Sequence, residues 1–127
     1  MKPYEEWLLK ADHDLKSAEI LVNSELLDTS IYHTQQCAEK ALKSFLVYNE
    51  QEIEKTHHLK PILEKCIAID ENFINLIDDA IFLSPFATGF RYPDDWMMPD
   101  LEDVEQAILS ARKIYEFVKN KTNAWSR

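Results

Sequence analysis

With 127 residues, 46% of them hydrophobic and 29% charged, the chain is long enough for one buried core and too apolar to stay disordered. Its single glycine, Gly89, argues against a sheet protein, because hairpins and bulges consume glycine at positions of positive φ. A net charge of −9 repels polyanions at long range, so an RNA-binding surface would have to be a local patch working against the global field.

The first helix is predicted from Pro3 to Asn23, with Tyr4, Leu8, Ala11, Leu15, Ala18 and Val22 alternating by four and three residues as one buried stripe. A turn at residues 26–30 separates it from a second helix ending near Asn49. That helix directs Ile31, Ala38, Leu42 and Phe45 inward and Gln36, Lys40 and Lys43 to the opposite side. A polar connection leads to a shorter helix capped around Thr56 or His57, with Pro61 in its first turn and Leu59, Ile62, Leu63 and Cys66 facing the core. A fourth helix is expected from Asp70, burying Phe73, Ile74, Ile77 and Ile81 and stopping before Pro85. Residues 84–99 read as an irregular, apolar loop that must pack on something. The last helix runs from Asp100 to about Asn120, with Leu101, Val104, Ile108, Ala111, Tyr115 and Val118 inward and its charges matched to the helix dipole. The expectation is one all-α domain over residues 1–127, an antiparallel up-and-down bundle of about five helices, three long and two shorter.

Cys37 and Cys66 lack disulfide or zinc spacing and read as reduced thiols. No run of eighteen apolar residues and no export signal is present, so a cytoplasmic protein with no membrane span is expected. His33 with Cys37, and the cluster Asp12, His13 and Asp14, offer metal-ligating side chains with no second Cys/His cluster at metal spacing; a solvated face explains them better, so neither metal nor cofactor is expected. Asp78-Asp79 and Asp94-Asp95 follow no phosphate-cradling glycine loop and read as surface charge. Between Cys66 and Ala111 there are ten acidic side chains and one basic one, Arg91.

Four segments, W-L-L-K-A-D-H-D-L-K-S-A (Trp7 to Ala18), Q-Q-C-A-E-K-A-L-K (Gln35 to Lys43), T-H-H-L (Thr56 to Leu59) and F-R-Y-P (Phe90 to Pro93), occur in an order and spacing that resembles the HEPN family. The resemblance implies an antiparallel helical bundle, often a homodimer, and often found beside a minimal nucleotidyltransferase in a toxin–antitoxin-like pair. Nucleotide or RNA recognition has been proposed for the family. On this resemblance Gln36, Lys40, His57, Arg91 and Tyr92 are candidate ligand-binding residues, with Gln35 beside them; amides, cations and an aromatic suit phosphate and base contacts. The plainer reading makes Gln35 a satisfied buried amide, pairs Lys40 with an acidic neighbour, and uses Arg91 to pin its loop.

Many HEPN ribonucleases place a histidine four to six residues after an arginine. Here His13, His33, His57 and His58 all precede Arg91, Arg112 and Arg127, so that motif is absent and catalysis is not expected. A divergent metal-independent ribonuclease would have to recruit His57 or His58 together with Arg91 in space. A third reading is a purely structural dimerisation module. The loop group Phe90, Tyr92, Trp96, Met97 and Met98 has the composition of a partner surface.

Overall fold

In the computed structural model, which describes residues 1–89 and 98–125, all regular secondary structure of the described residues is helical. Helix α1 spans Pro3–Asn23, α2 Leu27–Tyr48, α3 Leu59–Ile69, α4 Ile77–Leu83 and α5 Leu101–Thr122, with 3-10 turns at Glu71–Leu76 and Ser84–Ala87. Phe90, Arg91, Tyr92, Trp96 and Met97 lie outside the described residues.

Each long helix is bounded by local chemistry. Pro3 opens α1, where a missing N–H costs nothing, and Glu5 Oε1 accepts the Lys2 N–H at 2.9 Å. Asp100 caps α5 by accepting the Asp103 N–H at 2.8 Å. Helices α1 and α2 close in the same way without glycine. Glu25 and Glu50 adopt left-handed φ values of 62° and 58°, and the N–H groups of Leu26 and Gln51 return to the carbonyls of Leu21 and Leu46 at 3.0 and 2.9 Å.

Helix α2 is the hub, packing against α1, α3 and α5. Leu8, Ala11, Leu15 and Ala18 of α1 meet Ile31, Ala38, Leu42 and Phe45 of α2 and Val104, Ile108, Ala111, Tyr115 and Val118 of α5, all buried. The alanines in this set permit close helix approach. A second part of the core is aromatic, with the Phe73 ring 4.3 Å from Phe45 and 4.9 Å from Phe117.

Several boundaries and faces differ from expectation. The anticipated turn at 26–30 is shorter, since α2 begins at Leu27. Residues 71–76 form a 3-10 turn, and the buried set there is Phe73, Leu76, Ala80 and Leu83, leaving Ile74 and Ile81 53% and 67% exposed. This segment carries two apolar stripes at helical spacing, and packing on Phe45 and Phe117 selects the one containing Phe73. Helix α4 itself ends at Leu83, before Pro85 as expected, and a 3-10 turn follows it directly. Ser84 keeps a helical conformation (φ −51°), and Pro85 sits at the start of a 3-10 turn where no donor is needed. Gly89 closes that turn. A Cβ there would lie 2.9 Å from the Pro85 carbonyl oxygen, which explains why the one glycine stands at this position. Leu101, expected inward, is 52% exposed because it precedes the first core turn of α5. No helix of the described residues is long and apolar enough to cross a membrane.

Candidate functional site

The polar residues of the α1–α2 pair form one connected stripe. On α2, His33, Gln36, Lys40 and Lys43 recur at intervals of three, four and three and therefore share a face, with Glu39 beside it. On α1, Trp7 and Asp14 are two turns apart and share the facing edge.

Asp14 is buried, and both its oxygens are engaged. Oδ1 lies 2.7 Å from His33 Nδ1 and Oδ2 accepts from Lys40 Nζ at 2.7 Å. Burial by itself would raise the carboxyl pKa, but the bonds from His33 and Lys40 outweigh it and hold Asp14 below the usual aspartate value.

A closed ring of bonds surrounds Glu39. Its Oε2 accepts from Lys43 Nζ at 2.9 Å, and its Oε1 lies 3.0 Å from His57 Nδ1 and 3.5 Å from Gln36 Nε2. Gln36 Nε2 donates to Gln35 Oε1 at 2.7 Å, and Gln35 Nε2 donates to the His57 carbonyl at 2.8 Å. Glu39 and Lys43 are 4% and 5% exposed, so this is a buried ion pair; the Lys43 ammonium also stands 5.8 Å from the Trp7 ring centre. The His57 side chain, by contrast, is 73% exposed although the ring fixes it. Because an ionised carboxylate only accepts, Nδ1 carries the proton in both His33 and His57. Nε2 of His57 is thereby directed away from its carboxylate.

Among the sequence candidates, the structure assigns Gln36 and His57 to the Glu39 ring and Lys40 to Asp14. Gln35 is the satisfied buried amide, and Lys40 has the acidic neighbour, of the plainer reading. Arg91 and Tyr92 fall outside the described residues, so their convergence with the stripe is not described. His58 is exposed, precedes α3, and gives its backbone N–H to Thr56 Oγ at 3.1 Å. Gln36 and Lys43, expected on an outer face, are buried, and neither Asp14 nor Cys37 lies on a solvated one. Burial, together with the nearby charges of Asp14 and Asp12, pushes the Cys37 thiol far above its ordinary value, and Cys66 is pushed up to about 12, so neither is a reactive thiolate. Asp79 is not free surface charge but pairs with Lys113 at 2.9 Å. No trio of metal-ligating side chains assembles among the described residues.

Two residues of the stripe escaped the sequence reading as binding partners. Asp14 lies three residues after Ala11 and four before Ala18, within the buried stripe, and Glu39 and Lys43 are an i, i+4 pair; both signals were present.

The family profile of the HEPN domain matches residues 4–121. The chain belongs to the HEPN domain family. It is 26% identical over 129 residues to Putative toxin MJ1304 of Methanocaldococcus jannaschii, the match covering 90% of this chain and 84% of that protein. The crystal structure of ST0689, an archaeal HEPN homologue, superposes with a TM-score of 0.77 at 26% identity, covering 96% of this chain and 99% of the other. TT1696 from Thermus thermophilus superposes with a TM-score of 0.79 at 25% identity, covering 95% and 99%.

Proposed function

We propose that this HEPN domain is the binding half of a toxin–antitoxin-like pair with a minimal nucleotidyltransferase, working as a cytoplasmic homodimer that takes a nucleotide, free or carried by its partner, on the α1–α2 stripe. The observation that carries this reading is the Glu39 ring. It holds His57 at Nδ1 and at its backbone carbonyl while leaving the imidazole 73% exposed, a pre-organised hydrogen-bonding group that needs no further ordering on binding. Similarity to a protein named as a toxin supports the pairing. The cations of the stripe are already matched by Asp14 and Glu39, which favours recognition through hydrogen bonds over bulk attraction to polyanions.

The test is thermal unfolding against nucleoside mono-, di- and triphosphates, repeated on His57→Ala and Arg91→Ala. Ligand at about a hundred times its dissociation constant adds roughly 2.7 kcal/mol, an upward shift of several degrees. A shift present in the parent and absent in folded His57→Ala supports the site. No shift with any nucleotide removes the nucleotide half of the reading and leaves a partner protein, to be sought by co-purification.

The carboxylate-held histidines also favour a second reading, metal-independent RNA cleavage with His57 Nε2 as the base. It requires cleavage of a mixed RNA by the parent and none by His57→Ala.

A further inference from the structure

The first three turns of α5 carry a surface that the α1–α2 stripe does not use. Leu101, Glu105 and Leu109 are spaced by four and form an outward line, with the two leucines 52% and 57% exposed. A hollow lies on each side of Glu105. One, of about 700 Å³, is lined by Val22, Glu25, Leu27, Leu101 and Glu105. The other, of about 330 Å³, is lined by Phe82, Glu102, Asp103, Glu105 and Leu109.

The charges around these hollows have one sign. Glu25, Glu102, Asp103 and Glu105 line them, no lysine or arginine does, and none of the four carboxylates is paired with a basic side chain of the described residues. On the next turn of α5, by contrast, Arg112 pairs with Glu19 of α1 at 3.1 Å. The helix dipole accounts for Glu102 and Asp103 in the first turn of α5. It does not account for Glu105, which is beyond that turn, for Glu25, which belongs to the close of α1, or for the apolar side chains between them.

We propose that this face docks a basic, amphipathic helical segment of a partner protein, its apolar ridge filling the two hollows and its lysines or arginines meeting the four carboxylates. A two-fold dimer about this face does not fit, since it would set the same carboxylates against themselves. Helix-in-groove recognition places apolar anchors at intervals of three and four into such hollows and leaves the flanking positions to charged contacts. The surface shares no residue with the stripe around His57, so its failure and that of the nucleotide reading are separate outcomes.

The experiment titrates the full ¹⁵N-labelled chain with an amphipathic helical peptide built of leucine and lysine, and with its leucine–glutamate counterpart. The expected result is binding of the basic peptide alone, weakening with salt, with amide shifts centred on Phe82, Leu101, Glu105 and Leu109. Glu25→Lys/Glu105→Lys should weaken binding at least about tenfold. Glu6→Lys/Glu52→Lys, exposed and elsewhere, changes net charge by the same amount and should weaken it less than about threefold, as general charge screening predicts. Circular dichroism melts establish that both variants are folded. Equal weakening by the two pairs, equal binding of the acidic peptide, shifts centred elsewhere, or no binding at millimolar peptide would each overturn the proposal, as would a dimer dissociated by Leu109→Glu.

Discussion

Replacing Glu39 with glutamine should destabilise the domain more than replacing Lys43 with methionine, although both break the same ion pair. The asymmetry follows from what each change leaves behind. Without a carboxylate, the Lys43 ammonium, 5% exposed, faces only a neutral amide and the Trp7 ring at 5.8 Å, with no opposite charge. An uncompensated buried charge of this kind costs about 3–5 kcal/mol. Without Lys43, Glu39 keeps His57 at 3.0 Å and Gln36 at 3.5 Å, so the loss is nearer that of a hydrogen-bonded partner, about 1–3 kcal/mol. The double variant should recover most of the Glu39→Gln loss, because methionine fills the space with no charge to strand. For a domain of this length, 3–5 kcal/mol lowers the midpoint by roughly 10–20 °C. Urea unfolding at neutral pH, followed at 222 nm, gives all three values. A Glu39→Gln loss under about 1 kcal/mol, or a double variant as unstable as the sum of the singles, would refute the claim that this pair is buried and coupled.

Three further outcomes are expected. Asp14 is held below its ordinary pKa in the folded state, so the unfolded chain binds the extra proton; its contribution is present above the unfolded aspartate value and is lost as pH falls through the folded one. Asp14→Asn should therefore be destabilising near neutrality, with the gap from the parent closing in acid, measured by urea midpoints at stepped pH; a gap independent of pH would contradict the assignment. Glu50→Gly should raise stability by about 0.5–1 kcal/mol, since the left-handed φ of 58° strains any residue with a Cβ, and a fall in the melting temperature would count against that closure. Phe73→Ala should cost about 3–5 kcal/mol by emptying the junction between Phe45 and Phe117, read as the difference in urea unfolding free energy; a loss under about 1.5 kcal/mol would mean that the site collapses.

The three long helices were legible because each repeats apolar residues by threes and fours over five or more turns and carries terminal chemistry suited to its ends. Residues 70–89 were less so. Phe73, Ile74, Leu76, Ile77, Ala80, Ile81 and Leu83 offer two overlapping stripes, and only contact with Phe45 and Phe117 decides between them. The site divided in the same way. Gln35, Gln36, Lys40 and His57 were found through the HEPN resemblance, whereas Asp14 and Glu39, which fix them, were not. A carboxylate inside an apolar stripe is noticeable in sequence, but its partners come from another helix or from the connection before α3, and periodicity carries no information about those distances.

The two bonds that tie α1 to α2 at their opposite ends bear on how this protein could move. Ser30 Oγ donates to the Ala18 carbonyl and Ser44 Oγ to the Tyr4 carbonyl, each at 2.7 Å, with the Asp14 pairings between them. Sliding one helix along the other by a single turn, about 5.4 Å, would break all of them together and strand buried hydroxyls. This hairpin therefore resists shear and transmits displacement only as a stiff body. A signal arriving at His57 would have to swing the connection before α3, or tilt α3 and α4 on their apolar contacts, instead of shifting the register of α1 against α2.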